Sequence, residues 1–264
     1  MYVGLDVHKD FCQAAFLDNK GNIVKDRRFE NTASGLAELA RDTKNQHVVM
    51  ESSTAAFNVY DSLVKTCDVK VAHPRKIRLI AEAKIKTDKL DARVLAQLLR
   101  AGMIPESYVP SQENRQARLI VRHRASLVSV RTQIKNKIFA LLLKEGIQIP
   151  FKEKYGKKGM LFLKNTALGE AQRASLDSLL ALLGELNKQI DDAEKRIEEH
   201  ASNDAYAVLL KTHVGVGWTT ALAVASEVCD IGRFSSHKKL CSYFGLVPSV
   251  YQSSSQAAQT EEAT

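Results

Sequence analysis

The sequence predicts an α/β domain with a mixed sheet, then a long helical region, then a small all-α domain. Three observations carry this. The first hundred residues set three strand-like runs in hairpin order before strands and helices begin to alternate. From Asn114 to Lys144 there is no acidic residue, and Ile120, Leu127, Ile134, Ile138 and Leu141 keep helical spacing. Further on, Leu176, Leu179, Leu183, Leu186, Ile190, Ala193 and Ile197 alternate spacings of three and four, the pattern of a coiled-coil seam.

Taken in order, "MYVGLDVH" and "FCQAAFLD" read as two strands joined tightly at Lys9 and Asp10. "DNKGN" is a turn and "IVKDRRFEN" a third strand. "TASGLAELARDT" is a capped helix, "QHVVMES" a short buried strand, "AAFNVYDSLVKT" a helix and "VKVAH" a strand. Helical segments run from Arg75 to about Arg100 with a break near Lys86 and Thr87, where Thr87 can cap the second piece. Pro105 and Pro110 mark a boundary, giving domains over 1–104, 105–201 and 202–264. In the middle one, "FKEKYGKKG" reads as a linker between the basic helix and the seam helix. These two pack as an antiparallel hairpin, or the seam meets a second protomer and the chain is a homo-oligomer. In the last domain Gly215 and Gly217 precede a small-residue helix, a second helix follows "DIGRF", and the polar end "QSSSQAAQTEEAT" reads as disordered.

A formal charge of +8 and a pI near 9.2 favour an anionic partner. Nucleic acid fits better than a membrane, since no apolar run approaches the ~20 residues that span a bilayer. Met1 leads directly into a strand with no signal peptide, and the four cysteines are scattered, so a reducing cytoplasm fits and a zinc or disulfide framework does not. The basic face of the middle helix, with Arg115, Arg118, Arg122, Arg124, Arg131, Lys135, Lys137 and Lys144, is a candidate contact for a phosphate backbone.

The acids are the more specific feature. Asp6 and Glu51 each follow an apolar strand, where a charge is costly without a partner. Asp88 and Asp91 stand at i and i+3 of a helix, about 5–6 Å apart at Cβ. Four carboxylates in one place repel unless a cation compensates them, and two magnesium ions would do so while activating phosphodiester chemistry. Any one of these acids also suits a cap, a turn or a solvated surface, and composition with spacing leaves both readings open.

"YVGLDVHKD", "VVMES" and "AHPRKIRLIAEAKIKTDKLDARVLAQLLR" together closely resemble the DEDD-type transposases of the insertion sequence 110 family. The similarity runs on through "VGVGWTTALAVASEVCDIGRFSSHKKLCSYFGLVPS" and covers nearly the whole chain. It implies a RuvC-like domain of the ribonuclease H fold. It also implies DNA and a structured guide RNA as partners, and magnesium held by Asp6, Glu51, Asp88 and Asp91. Lys84, Lys86 and Lys89 then face the nucleic-acid backbone rather than simply pairing with their neighbouring acids. The family's nucleophilic serine falls on Ser253, with Ser254 one residue away, in a C-terminal transposase domain that looks shortened.

Gly215 and Gly217 fit a helix-hairpin-helix turn that lets backbone approach a phosphate, or equally a tight turn between packed helices. His8 and His73 flank the strand ends but are read as structural. Two other functions stand beside the recombinase. One is a truncated remnant that binds nucleic acid without cutting. The other is an actin-like ATPase, suggested by "GLDVHKD" and disfavoured by the absence of a second glycine-rich loop.

Overall fold

The structure, a computed structural model, describes residues 1–80, 87–247, 249–251 and 259–261. Two compact units divide between Val109 and Pro110.

The first unit is built on a five-stranded mixed sheet. β1 (Tyr2–Val7), β2 (Phe11–Leu17) and β3 (Ile23–Glu30) form an antiparallel meander. β4 (His47–Glu51) pairs parallel with β1, and β5 (Asp68–Ala72) parallel with β4, giving the order β3-β2-β1-β4-β5. The mixed sheet agrees with the ribonuclease H-like fold that the resemblance implies. Alternation along each strand splits the core into two layers. Val3, Leu5, Cys12, Phe16, Val48 and Met50 are buried in one cluster with residues of α1 (Ala33–Asp42) and α2 (Ala56–Leu63). α3 is short (Pro74–Ile80). On the other face, Val49 and Ala72 pack with Leu95, Leu98 and Leu99 of α4 (Asp88–Arg100).

α4 lies unusually close to the sheet because the residues between them are small. Ala92 and Ala96 pack with Ala15, and a Cβ placed on Gly4 would stand 2.0 Å from the Ala92 carbonyl oxygen. The expected cap is present: the Thr87 hydroxyl accepts from Leu90 N–H at 3.2 Å. At the sheet edge, Ser107 N–H donates to Val71 O at 2.7 Å and His73 N–H to Pro105 O at 2.9 Å. These bonds tie residues 105–107 to β5, so the first unit runs past Ile104 to Val109.

In the second unit, α5 (Gln112–Lys144) and α7 (Glu170–Ala201) are antiparallel. Ile134, Ile138 and Leu142 of α5 are buried with Leu176, Leu180 and Leu183 at the start of α7, while Ala117 shares a cluster with Ile197 and Ala201 at its end. The seam is therefore covered by the same chain, the first of the two arrangements expected. Leu176, Leu183, Ile190, Ala193 and Ile197 of the seam are buried within the chain, while Leu179 and Leu186 are partly buried. The expected linker also differs: α6 (Lys157–Asn165) forms within and beyond it, since Leu163 is fully buried in the α5–α7 core.

α8 (Ala205–Lys211), a turn, and α9 (Trp218–Val228) follow, then α10 (His237–Tyr243). Of the end expected to be disordered, Gln259–Glu261 (β7) pairs with Ser249–Tyr251 (β6) as an antiparallel ladder, and the rest of it lies outside the described residues. All four cysteines are free. Among the described residues no helix is long and apolar enough to cross a membrane.

Candidate active site

All four expected acids are delivered to one end of the first unit, and two of them, Asp6 and Asp88, meet closely there. Asp6 is the penultimate residue of β1 and Glu51 the last of β4, each one position beyond the final ladder pair Leu5↔Met50. Period-two alternation puts both on the face that α4 covers, since Gly4 and Val49, two residues earlier, lie against α4. α4 begins there, so its first turn carries Asp88 and Asp91 to the same edge. The partial positive charge of a helix N-terminus favours carboxylates at these positions, which lets the helix form before any cation is considered.

The side chain joining Asp6 and Asp88 is His8, which the sequence taken alone marks as structural. His8 Nε2 lies 3.0 Å from Asp6 Oδ2 and 3.4 Å from Asp88 Oδ1. One potential donor atom each from Asp6, His8 and Asp88 falls within 4.8 Å of the others. That spread suits a single small ion, whose opposed ligands at about 2.1 Å would stand about 4.2 Å apart. Two carboxylates and an imidazole thus fit a divalent metal. Burial pushes the Asp6 carboxyl above its usual range; His8 opposes the rise, and the charges of Asp91 and Asp88 add to it. Such mutual repulsion is what a cation would relieve. His8 could have been noticed as the residue two beyond the strand-end acid, on the same side of an extended chain.

Glu51 and Asp91 do not share that tight cluster. Glu51 sits at the neighbouring strand end, and Asp91 acts on Asp6 through its charge. α4 is held over the sheet by Arg93, whose Nε donates to Asp26 Oδ1 at 3.2 Å and Oδ2 at 3.1 Å, with a further bond from Nη2. Lys89 is exposed on the first turn of α4. Lys84, Lys86, Ser253 and Ser254 lie outside the described residues.

The basic helix is more occupied than its sequence suggested. Arg118 donates to Ser226 O at 2.8 Å and pairs with Glu227 at 3.0 Å, so it holds α9 against α5. Arg122 also pairs with Glu227, Arg124 pairs with Glu194, and Arg131 donates to Asn187. The Lys135 ammonium lies 5.0 Å from the Tyr155 ring, while Lys137 and Lys144 are exposed. Arg115 stands one turn before Arg118 at the start of α5. In the α8–α9 turn Gly215 has φ +85°, a conformation that side chains rarely adopt, and Gly217 caps α9 in an extended conformation.

A mixed sheet that brings carboxylates from strand ends and a helix start to one edge defines the class as a ribonuclease H-like domain of the DEDD kind, here followed by a helical unit. Residues 3–145 match the DEDD transposase family of IS110 type, and residues 207–262 match the family described as "Transposase IS116/IS110/IS902 family". The chain belongs to the IS110 family of transposases. It is 28% identical to the "Transposase for insertion sequence element IS1111A" of Coxiella burnetii, over 95% of this chain and 69% of that protein. It is 27% identical to the "Transposase for insertion sequence element IS1533" of Leptospira borgpetersenii, over 89% of this chain and 72% of that protein. Across the curated relatives it matches, the chain spans from 63% to 74% of their lengths.

Proposed function

We propose that this chain carries the metal-dependent catalytic domain and a nucleic-acid-binding helical unit of an insertion-sequence transposase that cleaves and rejoins DNA strands. The observation that carries the reading is the convergence of Asp6, His8 and Asp88, with Asp91 adding to the negative field. Asp6, Glu51, Asp88 and Asp91 would hold Mg2+, with His8 as a fifth donor or as the group that orients Asp6 and Asp88. A divalent cation bound there would supply Lewis-acid stabilisation to a phosphoryl oxygen as charge develops. Asp6, on a rigid strand, and Asp88, on a capped helix, keep their carboxylates in register without reorganisation during the reaction.

By resemblance the attacking hydroxyl is that of Ser253. DNA, and by the same resemblance a structured guide RNA, would meet Lys84, Lys86, Lys89, the basic face of α5 and the Gly215–Gly217 turn. The intramolecular pairs of Arg118, Arg122 and Arg124 leave Lys137, Lys144 and Lys89 as the better-supported phosphate contacts.

Calorimetric titration of this chain with Mg2+ and Mn2+ tests the site directly. Saturable binding that Asp6→Asn/Asp88→Asn abolishes is expected, together with Mg2+-dependent nicking of supercoiled DNA that chelator stops. Metal binding unchanged in the double variant overturns the site. Metal and DNA binding without any nicking would instead support a binding function alone.

A further inference from the structure

We propose that Arg28, stacked on Phe11, is a phosphate-binding residue that holds the backbone of the nucleic-acid strand next to the carboxylate cluster. The inference rests on the nucleic-acid reading above and adds a contact that neither the family motif nor the charge pattern picks out.

Register places Arg28 on the right face. Asp6 pairs with Gln13 across β1–β2, and Gln13 with Arg28 across β2–β3, so all three lie in one row on the side that α4 covers. Two residues along, Ala15 packs against α4 and Asp26 is bound by Arg93. The row therefore lies level with the first turn of α4, with Gln13 buried in its middle and Arg28 exposed at its outer end. Two strand spacings separate Arg28 from Asp6, about 10 Å between backbones.

Its surroundings distinguish it from Arg27 and Arg93 of the same unit. Arg27 pairs with Glu38 and Asp42, and Arg93 with Asp26. Arg28 is exposed and, among the described residues, has no carboxylate within ion-pair distance. Instead its guanidinium carbon lies 3.3 Å from the centre of the Phe11 ring. Phe11 in turn stacks on His8, centroids 4.5 Å apart and planes 30° off parallel. The tight β1–β2 hairpin, closed by His8 N–H to Phe11 O at 2.9 Å, holds this column beside Asp6 and Asp88.

Stacking uses the flat face of a guanidinium and leaves its in-plane N–H donors free. An arginine fixed this way is pre-arranged for a phosphate and still fully charged. It also offsets the repulsion that the carboxylates exert on a polyanion approaching the same edge.

The test is fluorescence anisotropy of a labelled DNA duplex and its single strand with the whole chain in EDTA, across a range of salt. Arg28→Gln is expected to weaken binding several-fold and to reduce the slope of log K against log salt by about one. Arg28→Lys should recover the slope but not all the affinity, and Phe11→Leu should weaken binding with the charge intact. Thermal unfolding of each variant separates lost contact from lost fold. Wild-type binding with an unchanged slope in a folded Arg28→Gln overturns the inference and leaves the proposed function standing. Failure of the wild-type chain to bind either DNA form overturns both.

Discussion

Gly4→Ala puts the geometry of the site to a direct test from a residue that touches none of the acids. The new Cβ would stand 2.0 Å from the Ala92 carbonyl oxygen and 2.6 Å from the Ala96 nitrogen. Real Cβ contacts essentially never fall below 3.0 Å, so α4 must retreat from β1 by at least about 1 Å. Both atoms that clash are backbone, which no rotamer change can relieve. Overpacking of this kind costs about 1–3 kcal/mol. The same shift carries Asp88 away from Asp6, widening the 3.4 Å approach of His8 to Asp88 by about as much. Metal affinity measured by calorimetry should then fall by about tenfold or more, since ligands of a small ion tolerate little displacement. Urea unfolding supplies the stability arm. Trp218, the lone tryptophan, belongs to the second unit, so its fluorescence transition should stay put while the far-UV circular dichroism transition of the first unit moves down. A folded Gly4→Ala protein with wild-type metal affinity would refute the claim that α4 seating sets the site.

The other expectations concern charges. Asp26→Asn should loosen the Arg93 strut, moving the unfolding transition little while lowering metal affinity measurably, as calorimetry would show. Because folding raises the Asp6 pKa above 3.8, ionised Asp6 opposes folding. That cost is absent below pH 3.8, grows as pH climbs through the folded pKa, and is complete above it. In chelator, Asp6→Asn should thus gain stability relative to wild type as pH rises towards neutral; a gap that instead grows toward acid would contradict the burial argument. Arg118→Gln should destabilise the second unit by about 2 kcal/mol in the Trp218 transition, because it strips the Ser226 carbonyl and Glu227 of their partner. Lys137→Gln should leave that transition unmoved and reduce the salt slope of DNA binding by about one.

Sequence by itself determined the strands and helices of the first unit and the two long helices of the second, but not α6 or β7. Strand alternation, the Thr87 cap and the helical spacing of α5 and α7 are local, and local preference decides them before any packing occurs. The motif "KTDKLDA", with "GLDV" and "VMES", was enough to name the family and its candidate acids, since those residues are read one by one. Tertiary structure alone decided which charges are free. Arg118, Arg122 and Arg124 look like an uninterrupted cationic face until Glu227 (109 and 105 residues from the first two) and Glu194 (70 residues from the third) come to meet them. The coiled-coil seam likewise had two satisfactory partners on paper, and only the antiparallel return of α7 onto α5 chose between them. His8 and Arg28 show the same limit at the site. Nothing local marks Arg28, which takes its meaning from Phe11 on the next strand, and His8 stands visibly two residues beyond Asp6 but gains its role only from Asp88 on α4. Periodicity describes the chain along its length, whereas electrostatics and stacking act through space, and so the partners of a charge become visible only when the sheet register and the helix crossings are set.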